Sequence, residues 1–417
     1  MNETNVRHLD IQHTLIVSNI MLYNTVLYMV GKLDLPADTS EGPKLPTPVE
    51  NGSISNDKID KEIGKDTLRL LTVVLRHGDR APQDTYPNDP YLNNSMEPYG
   101  WGQLTNEGRR NQYNQGLFLR KRYDNFLGPT YSPDIFYLQC TAVDRTKMSA
   151  MLEAAALWKP TEEQSFKPDL AWQPVTLFYQ PRSEDTLMLI WDTCPQYVKL
   201  RYAIMNSSEV QQIQNDNKRL YEELTNLTGM VILTPSDVGS IYGTLTAEKH
   251  MNLILPNWTK EYYPDKLLPL TLYDLKLNVY DNHLRRLKGG PFLKKIITDM
   301  LAKKDNTLSE TRKMFMYVGH DSTMVTLMDV MHVWNNQMPH YNVMIMIELH
   351  ENNDEWNVQI LLRNTTKQEP YPLTIPGCTT ACPLEKFVQI LKPMIPDNWE
   401  EECKVDGEYI PPPAPLP

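Results

Sequence analysis

The segment Thr67–Leu75, TLRLLTVVL, constrains the fold of this chain more than any other part of the sequence. It is short, largely apolar and bounded by polar residues, which is typical of a strand that is buried on both faces of a parallel sheet. The segments Asp134–Gln139 and Lys313–Val318 have the same strand character. Together the three segments predict a central sheet that is mostly parallel.

Helical patterns lie between the predicted strands. Thr105 is expected to be the N-cap of a helix that ends near Phe126, and Asp144–Trp158 is predicted to be a second, alanine- and methionine-rich helix. Residues 343–349 and 358–362 have strand character and flank the turn-like ENNDE, so we expect a hairpin at the edge of the sheet. Because strands alternate with helices, the predicted fold class is α/β, with helices flanking the central sheet.

The length of the chain allows an insertion into this fold. With 417 residues and 41% hydrophobic content, it can form one large domain with an insertion, or two domains. Residues 161–285 contain scattered prolines and polar, helical patterns, which predicts a helical cap inserted between core segments 65–160 and 286–405. Residues 1–64 are interpreted as a leader with a polar linker, and residues 406–417 as an unstructured, proline-rich tail.

The uncharged run Thr14–Gly31 bears on where the protein resides. Its length is compatible with a signal sequence or with an N-terminal membrane anchor, although Ser18, Asn19 and Asn24 interrupt its apolar character. N-glycosylation sequons also favour the secretory route. They begin at Asn2, Asn51, Asn93, Asn206, Asn226, Asn257 and Asn364.

The net charge excludes some classes of binding protein. It is −11 at pH 7, whereas proteins that bind nucleic acids or anionic membranes depend on positive charge. We therefore expect no nucleic-acid partner. Any anion site must be a local cluster of cations.

Such a cluster is predicted from three polar motifs, each of which follows a predicted strand. The carboxyl ends of parallel strands meet at one crevice of an open α/β sheet, and this crevice is where ligands bind. Three arginines and two histidines would converge there. The motifs are Arg76-His77-Gly78 with Arg80, Asp144-Arg145, and His320-Asp321.

The chemistry of these side chains suits a phosphoryl group. A planar guanidinium group can donate two parallel hydrogen bonds to two oxygens of a phosphate. Several arginines that converge on one point repel one another unless a dianion lies between them. A neutral His77 could attack phosphorus, and Gly78 would let the backbone come close. Asp321 could donate a proton to the leaving group, which would favour acidic working conditions. Taken alone, His77 is also compatible with an ordinary core histidine, and Arg145 with an ordinary residue at a helix N-terminus.

The motifs match those of the histidine acid phosphatases, branch 2 of the histidine phosphatase superfamily. The sequence from about Lys65 to Cys403 resembles the prostatic and lysosomal type, through stretches such as LRHGDRAPQDTYPNDPY, TAVDRTKMSAM and MYVGHDST. In that family the histidine of RHGxRxP is phosphorylated and the aspartate of the HD pair is the acid. The resemblance implies a phosphoglycerate-mutase-like fold and no metal or other cofactor. It implies the following roles: His77 as nucleophile, Asp321 as acid, and Arg76, Arg80, Arg145 and His320 as phosphate ligands.

The resemblance also assigns the cysteines. It implies a short disulfide loop between Cys378 and Cys382 and a long-range disulfide between Cys194 and Cys403, which leaves Cys140 free. A zinc site at the C-x3-C is disfavoured because no second pair of ligands lies nearby. The resemblance further implies a homodimer. Because the sequence lacks the C-terminal membrane span of the lysosomal type, a secreted or N-terminally anchored protein is expected rather than a lysosomal one.

The leading hypothesis is therefore an extracytoplasmic acid phosphatase that acts on small phosphate monoesters through a phosphohistidine. A phytase or other inositol-phosphate phosphatase is the first alternative, but its cap would be expected to be rich in basic residues, whereas this cap mixes charges, as in EVQQIQNDNKRLYEELT. The HD pair and the large cap count against a phosphoglycerate mutase. A non-catalytic binding protein on the same scaffold would need a blocked pocket.

Overall fold

The structure, a computed structural model, describes residues 65–415. The predicted leader and linker, the run Thr14–Gly31 and the sequons at Asn2 and Asn51 lie outside the described residues. One sheet organises the part that is described. Its strands are β1 (Leu68–Arg76), β2 (Phe136–Thr141), β3 (Phe178–Gln180), β4 (Met314–Gly319), β5 (Met344–Asn352), β6 (Glu355–Arg363), β7 (Tyr371–Leu373) and β8 (Cys382–Pro383).

The strand order is β3-β2-β4-β1-β5-β6-β7, and β8 pairs with β6. Strands β1 to β4 are parallel to one another, and β5 to β8 are added in antiparallel fashion. The predicted α/β class with a mostly parallel core is confirmed. The hairpin of β5 and β6 is also present, and its turn residues Asn353 and Asp354 have positive φ angles, as tight hairpin turns require.

Two details of the sheet differ from the sequence-based expectation. The hairpin is not at the edge, because β5 pairs with the central strand β1 and β7 covers the outer side of β6. Strand β3 lies within residues 161–285, which were predicted to be helical, and it pairs with β2. Both β3 and β7 have three residues, which is too short for an alternating pattern to become visible in the sequence.

Helices cover both faces of the sheet and form the cap. Strand β1 shows why both faces are covered: Leu71, Val73 and Leu75 point to one hydrophobic cluster, and Leu70 and Val74 point to another. Such alternation requires apolar partners on each side. The helices are α1 (Asn106–Leu127), α2 (Asp144–Leu157), α3 (Pro195–Met205), α4 (Ser208–Asp216), α5 (Lys218–Thr228), α6 (Pro235–His250), α7 (Thr259–Tyr262), α8 (Leu268–Leu277), α9 (Asn282–Lys288), α10 (Gly290–Lys304), α11 (Asp321–Val330), α12 (Leu384–Leu391) and α13 (Trp399–Glu402).

Helices α1 and α2 pack on one face of the sheet, and α10 and α11 pack on the other. The expected N-cap of α1 is present, since the Thr105 hydroxyl accepts a hydrogen bond from the backbone N–H of Gly108 at 3.1 Å. Helices α3 to α9 form two further hydrophobic clusters beside the sheet. Within residues 65–415, no helix combines the length and the apolar character that a membrane span needs.

Two disulfides tie down the C-terminal part of the described chain. Cys194, at the start of α3, is bonded to Cys403 after α13, and Cys378 is bonded to Cys382. Cys140 is a free, buried thiol, and burial raises its pKa to about 12, so it is not a reactive thiolate. The residues after Cys403 form no helix or strand up to residue 415, although the Trp191 indole N–H donates to the Pro412 carbonyl at 3.0 Å.

Candidate active site

The register of the parallel strands brings the first and third motifs together. Strands β1 and β4 are neighbours, and Arg76 is opposite Gly319, so the residues that follow each strand leave the sheet side by side. The His77 amide donates to the Gly319 carbonyl at 3.0 Å, and the rings of His77 and His320 are 5.5 Å apart. Arg145, in the first turn of α2 after the neighbouring strand β2, reaches the same point.

The hydrogen bonds of His77 fix its tautomer. Its Nδ1 lies 2.8 Å from the carbonyl oxygen of Gly78, which can only accept, so Nδ1 carries the proton. The Arg145 Nε–H donates to His77 Nε2 at 3.1 Å, which requires a lone pair on that nitrogen. Nε2 therefore carries the lone pair of the ring, and it faces a guanidinium group.

The imidazole of His77 is held neutral. Burial is the largest cause, followed by the charges of Arg145 and Arg76, and together they place the pKa of His77 well below its ordinary value of 6.5. The pKa of His320 is lowered in the same way, by burial and then by Arg145. A neutral imidazole keeps its lone pair in acidic solution, which is the condition for nucleophilic attack there.

Three buried nitrogen atoms around His77 have no hydrogen-bond partner among the described residues: Nε of Arg76, Nε of Arg80 and Nδ1 of His320. Buried polar atoms are normally paired, so three unpaired nitrogens that surround one point could serve as ligands for an anion. Burial lowers the pKa of Arg145 to about 9, and the neighbouring charge of Arg80 contributes to this shift. A bound dianion would satisfy the unpaired nitrogens and relieve the repulsion.

Asp321 forms a hydrogen-bonded ion pair with one of these cations, Arg76. Its Oδ2 accepts a hydrogen bond from Arg76 Nη2 at 2.7 Å. Burial raises the pKa of the Asp321 carboxyl, but the charge of Arg76 and a hydrogen bond from the Ser322 amide outweigh burial, and the net pKa lies below its ordinary value. In the free protein the Asp321 carboxyl is therefore ionised down to a pH below its ordinary pKa.

Gly78 is required by packing against a helix. A Cβ atom on Gly78 would lie 2.7 Å from the carbonyl oxygen of Gly108 and 2.9 Å from Cγ of Gln112, both on α1. The sequence suggested that the glycine allows close approach of the backbone. The structure shows that the group that comes close is the backbone of α1, which packs directly against Gly78.

A network behind the loop was not foreseen from the sequence. The carboxylate of Asp79 contacts Nδ1 of His250 at 2.6 Å and accepts a hydrogen bond from the side-chain amide of Asn342 at 2.9 Å. Although burial opposes ionisation, these contacts, led by that of His250, lower the pKa of Asp79 to about 2. The only signal available in the sequence was the aspartate that directly follows Arg76-His77-Gly78.

The site opens into a cleft of about 510 Å³ between the sheet and the cap. The cleft is lined on one side by the histidines and arginines of the motifs, and on the other by cap residues that include Trp191, Tyr197 and Tyr242. Among residues 65–415, no group of three histidine, cysteine or acidic side chains is placed to hold a metal ion.

Comparison with known proteins adds to this geometry. The family model described as histidine phosphatase superfamily (branch 2) matches residues 67–363. The chain is 37% identical over 353 residues to prostatic acid phosphatase of Bos taurus, a match that covers 83% of this chain and 90% of that protein. It is 35% identical over 347 residues to lysosomal acid phosphatase of Rattus norvegicus, covering 82% and 81% respectively.

A solved structure shares the fold. The phytase from Citrobacter braakii superposes with a TM-score of 0.59 at 16% identity, and the match covers 81% of this chain and all of that one, 100%. At this level of identity the similarity shows the fold alone.

Proposed function

Because this chain belongs to branch 2 of the histidine phosphatase superfamily, we propose that it is an acid phosphatase that hydrolyses phosphate monoesters through a phosphohistidine on His77, with Asp321 as the general acid. The observation that carries this proposal is the His77 Nε2 lone pair among buried arginines whose nitrogens lack partners. Arg76, Arg80, Arg145 and His320 are proposed to bind the phosphoryl oxygens.

In the first step Nε2 of His77 attacks phosphorus and forms an N–P bond while the bond from phosphorus to the ester oxygen breaks. Asp321 transfers a proton to that oxygen, so the alcohol leaves neutral. The imidazole becomes a cation, and its Nδ1–H bond to the Gly78 carbonyl stabilises that charge. In the second step water attacks phosphorus, Asp321 accepts the water proton, and the N–P bond breaks to release inorganic phosphate.

The proton on Asp321 is proposed to arrive with the substrate. The carboxyl is ionised in the free protein because it is paired with Arg76. A phosphate monoester has a second pKa of about 6, so in acidic solution it binds as a monoanion with one proton. Once the arginines bind the phosphoryl oxygens, the guanidinium charge no longer holds the Asp321 pKa down, and the proton moves to the carboxyl.

This scheme predicts the pH dependence of phosphate release. The pKa of His77 is lowered, so the imidazole stays neutral and the rate holds until the pH falls below that lowered value. On the alkaline side, kcat/KM should fall above about pH 6 as the substrate loses its proton. A pH profile of phosphate release from several monoesters, with and without a chelator, tests this. Strict dependence on an added divalent ion, or activity that rises above pH 7, would contradict the proposal.

The first alternative function lacks specific support in the structure. A phytase would be expected to line its cleft with cations, but the carboxylates of Asp84 and Asp274 also line this one. The likeness to a phytase structure concerns the fold alone. A non-catalytic scaffold would need a blocked pocket, whereas the cleft reaches His77.

We also propose that the protein passes through the secretory pathway as a glycoprotein, is secreted or anchored at its N-terminus, and forms a homodimer. Its disulfides favour an oxidising compartment, and its relatives include prostatic and lysosomal acid phosphatases. Asn364 is buried, so its sequon is not expected to carry a glycan. The exposed sequon asparagines within residues 65–415 are Asn93, Asn206, Asn226 and Asn257.

A further inference from the structure

Besides the motif arginines, two arginines and one lysine line the cleft, and they differ in how they are paired. Arg182 forms an ion pair with Asp192 at 3.5 Å, and Arg201 forms one with Asp274 at 3.3 Å. Lys288, the last residue of α9, has neither a hydrogen bond nor an ion pair among residues 65–415. Among these residues, no carboxylate therefore lies within ion-pair distance of its ammonium.

An aromatic ring lies beside Lys288. The Lys288 ammonium is 5.5 Å from the centre of the Tyr197 ring, which is a cation–π distance. The Tyr197 hydroxyl donates to Asn278 at 3.2 Å, and Arg201 Nε donates to the side-chain oxygen of the same asparagine, also at 3.2 Å. Tyr197 and Arg201 thus form a hydrogen-bonded part of the cleft wall next to Lys288.

Lys288 and Asp321 line the same cleft. Lys288 also borders α11, the helix that begins with Asp321, because it lines a small cavity together with Thr323 and Thr326. In the proposed mechanism Asp321 protonates the ester oxygen of the leaving group. An extended leaving group would therefore pass from Asp321 toward the wall that carries Lys288.

Lys288 is charged under acidic conditions. Burial, followed by the charge of Arg201, lowers the pKa of Lys288 to about 7, while Asp274 and Asp321 oppose that shift. Below this value the side chain is an ammonium ion. An ammonium without a partner in a confined cleft is a binding group for an anion.

We propose that Lys288 binds a second anionic group, a carboxylate or a phosphate, on the leaving-group part of the substrate. Phosphate monoesters of alcohols that carry such a group would thus be preferred over neutral analogues of the same size. This inference rests on the proposed phosphatase function. The proposed subsite binds one additional anionic group, whereas an inositol polyphosphate carries many.

The test is the ratio of kcat/KM for 3-phosphoglycerate to kcat/KM for glycerol 3-phosphate at pH 5. Both are phosphate esters of a primary alcohol in a three-carbon compound. 3-Phosphoglycerate has a carboxylate where glycerol 3-phosphate has a hydroxymethyl group. The full-length parent enzyme should favour 3-phosphoglycerate. Lys288→Gln should lower the ratio by about 10- to 100-fold, the effect of losing a charged hydrogen bond in a confined site.

Matched variants separate charge from shape. Lys288→Arg retains the charge and should keep most of the preference, whereas Lys288→Met, which keeps the aliphatic stem, should lose it as Lys288→Gln does. Lys218→Gln removes an exposed lysine on α5 and should leave kcat/KM for both substrates unchanged. A ratio that stays the same in Lys288→Gln and Lys288→Met overturns the proposed subsite. Failure of the parent enzyme to release phosphate from p-nitrophenyl phosphate would instead overturn the proposed function.

Discussion

Replacing His77 with alanine is expected to lower kcat for p-nitrophenyl phosphate by at least about 10⁴-fold, because the proposed covalent intermediate forms on this side chain. Nε2 of His77 carries the lone pair that faces Arg145, and the other buried histidine beside it, His320, bonds through its Nε2 to Thr141 at 2.9 Å. Steady-state release of p-nitrophenol measures the loss.

The control for this variant is His283→Ala. His283 is an exposed histidine on α9, away from the cluster of arginines, so its removal should leave the rate unaffected. Thermal unfolding of both variants checks that the fold is intact. Retention of more than about one per cent of the parent kcat by a folded His77→Ala variant would contradict the role of His77 as the nucleophile.

Asp321→Asn is expected to slow alkyl phosphates far more than aryl phosphates. An alkoxide leaves slowly without a proton, whereas p-nitrophenolate is a stable anion and leaves without one. We expect kcat/KM for glycerol 3-phosphate to fall by about 10³-fold and kcat/KM for p-nitrophenyl phosphate to fall by about 10-fold or less. Because kcat/KM reports on steps up to formation of the phosphoenzyme, slower attack of water in the second step does not obscure the comparison.

The comparison of two substrates also corrects for a side effect of this variant. Asp321 is bonded to Arg76, so removing its charge changes how the cluster of cations binds the phosphoryl group. That change affects both substrates alike and cancels in the ratio. Equal losses on the two substrates would therefore show that Asp321 is not the proton donor.

The parts of the fold that were predictable from the sequence are those with strong local patterns. Strand β1 is buried on both faces, and the N-cap of α1 has a side chain that competes well for the free amides of a helix start. Strands β3 and β7 have three residues each and are held in the sheet by their neighbours, so no local pattern marks them.

Some features of the site were likewise predictable from the sequence, and others were not. Arg76, His77 and His320 could be placed together because strand ends converge in a parallel sheet, and the structure shows them in contact range. The tautomer of His77 depends on one carbonyl at 2.8 Å, which no motif reveals. The ionised state of Asp321 depends on its distance to Arg76.

Other features of the site depend on segments that are distant in the chain. The contact between Asp79 and His250 joins residues from the motif loop and the cap. Lys288 lacks an ion pair within residues 65–415 because the nearby carboxylates of Asp192 and Asp274 are paired with Arg182 and Arg201. Such pairings are set by tertiary packing, so a single sequence does not determine them.

The central claim is that a neutral His77 receives the phosphoryl group from the ester. The most direct measurement is rapid quenching of the full-length enzyme during turnover of a monoester with a labelled phosphate, followed by peptide mapping under alkaline conditions. We expect label that is stable in base, is lost in acid and maps to His77, and no label in the His77→Ala variant. Label on a serine, a cysteine or another histidine would contradict the account, as would turnover without any labelled protein.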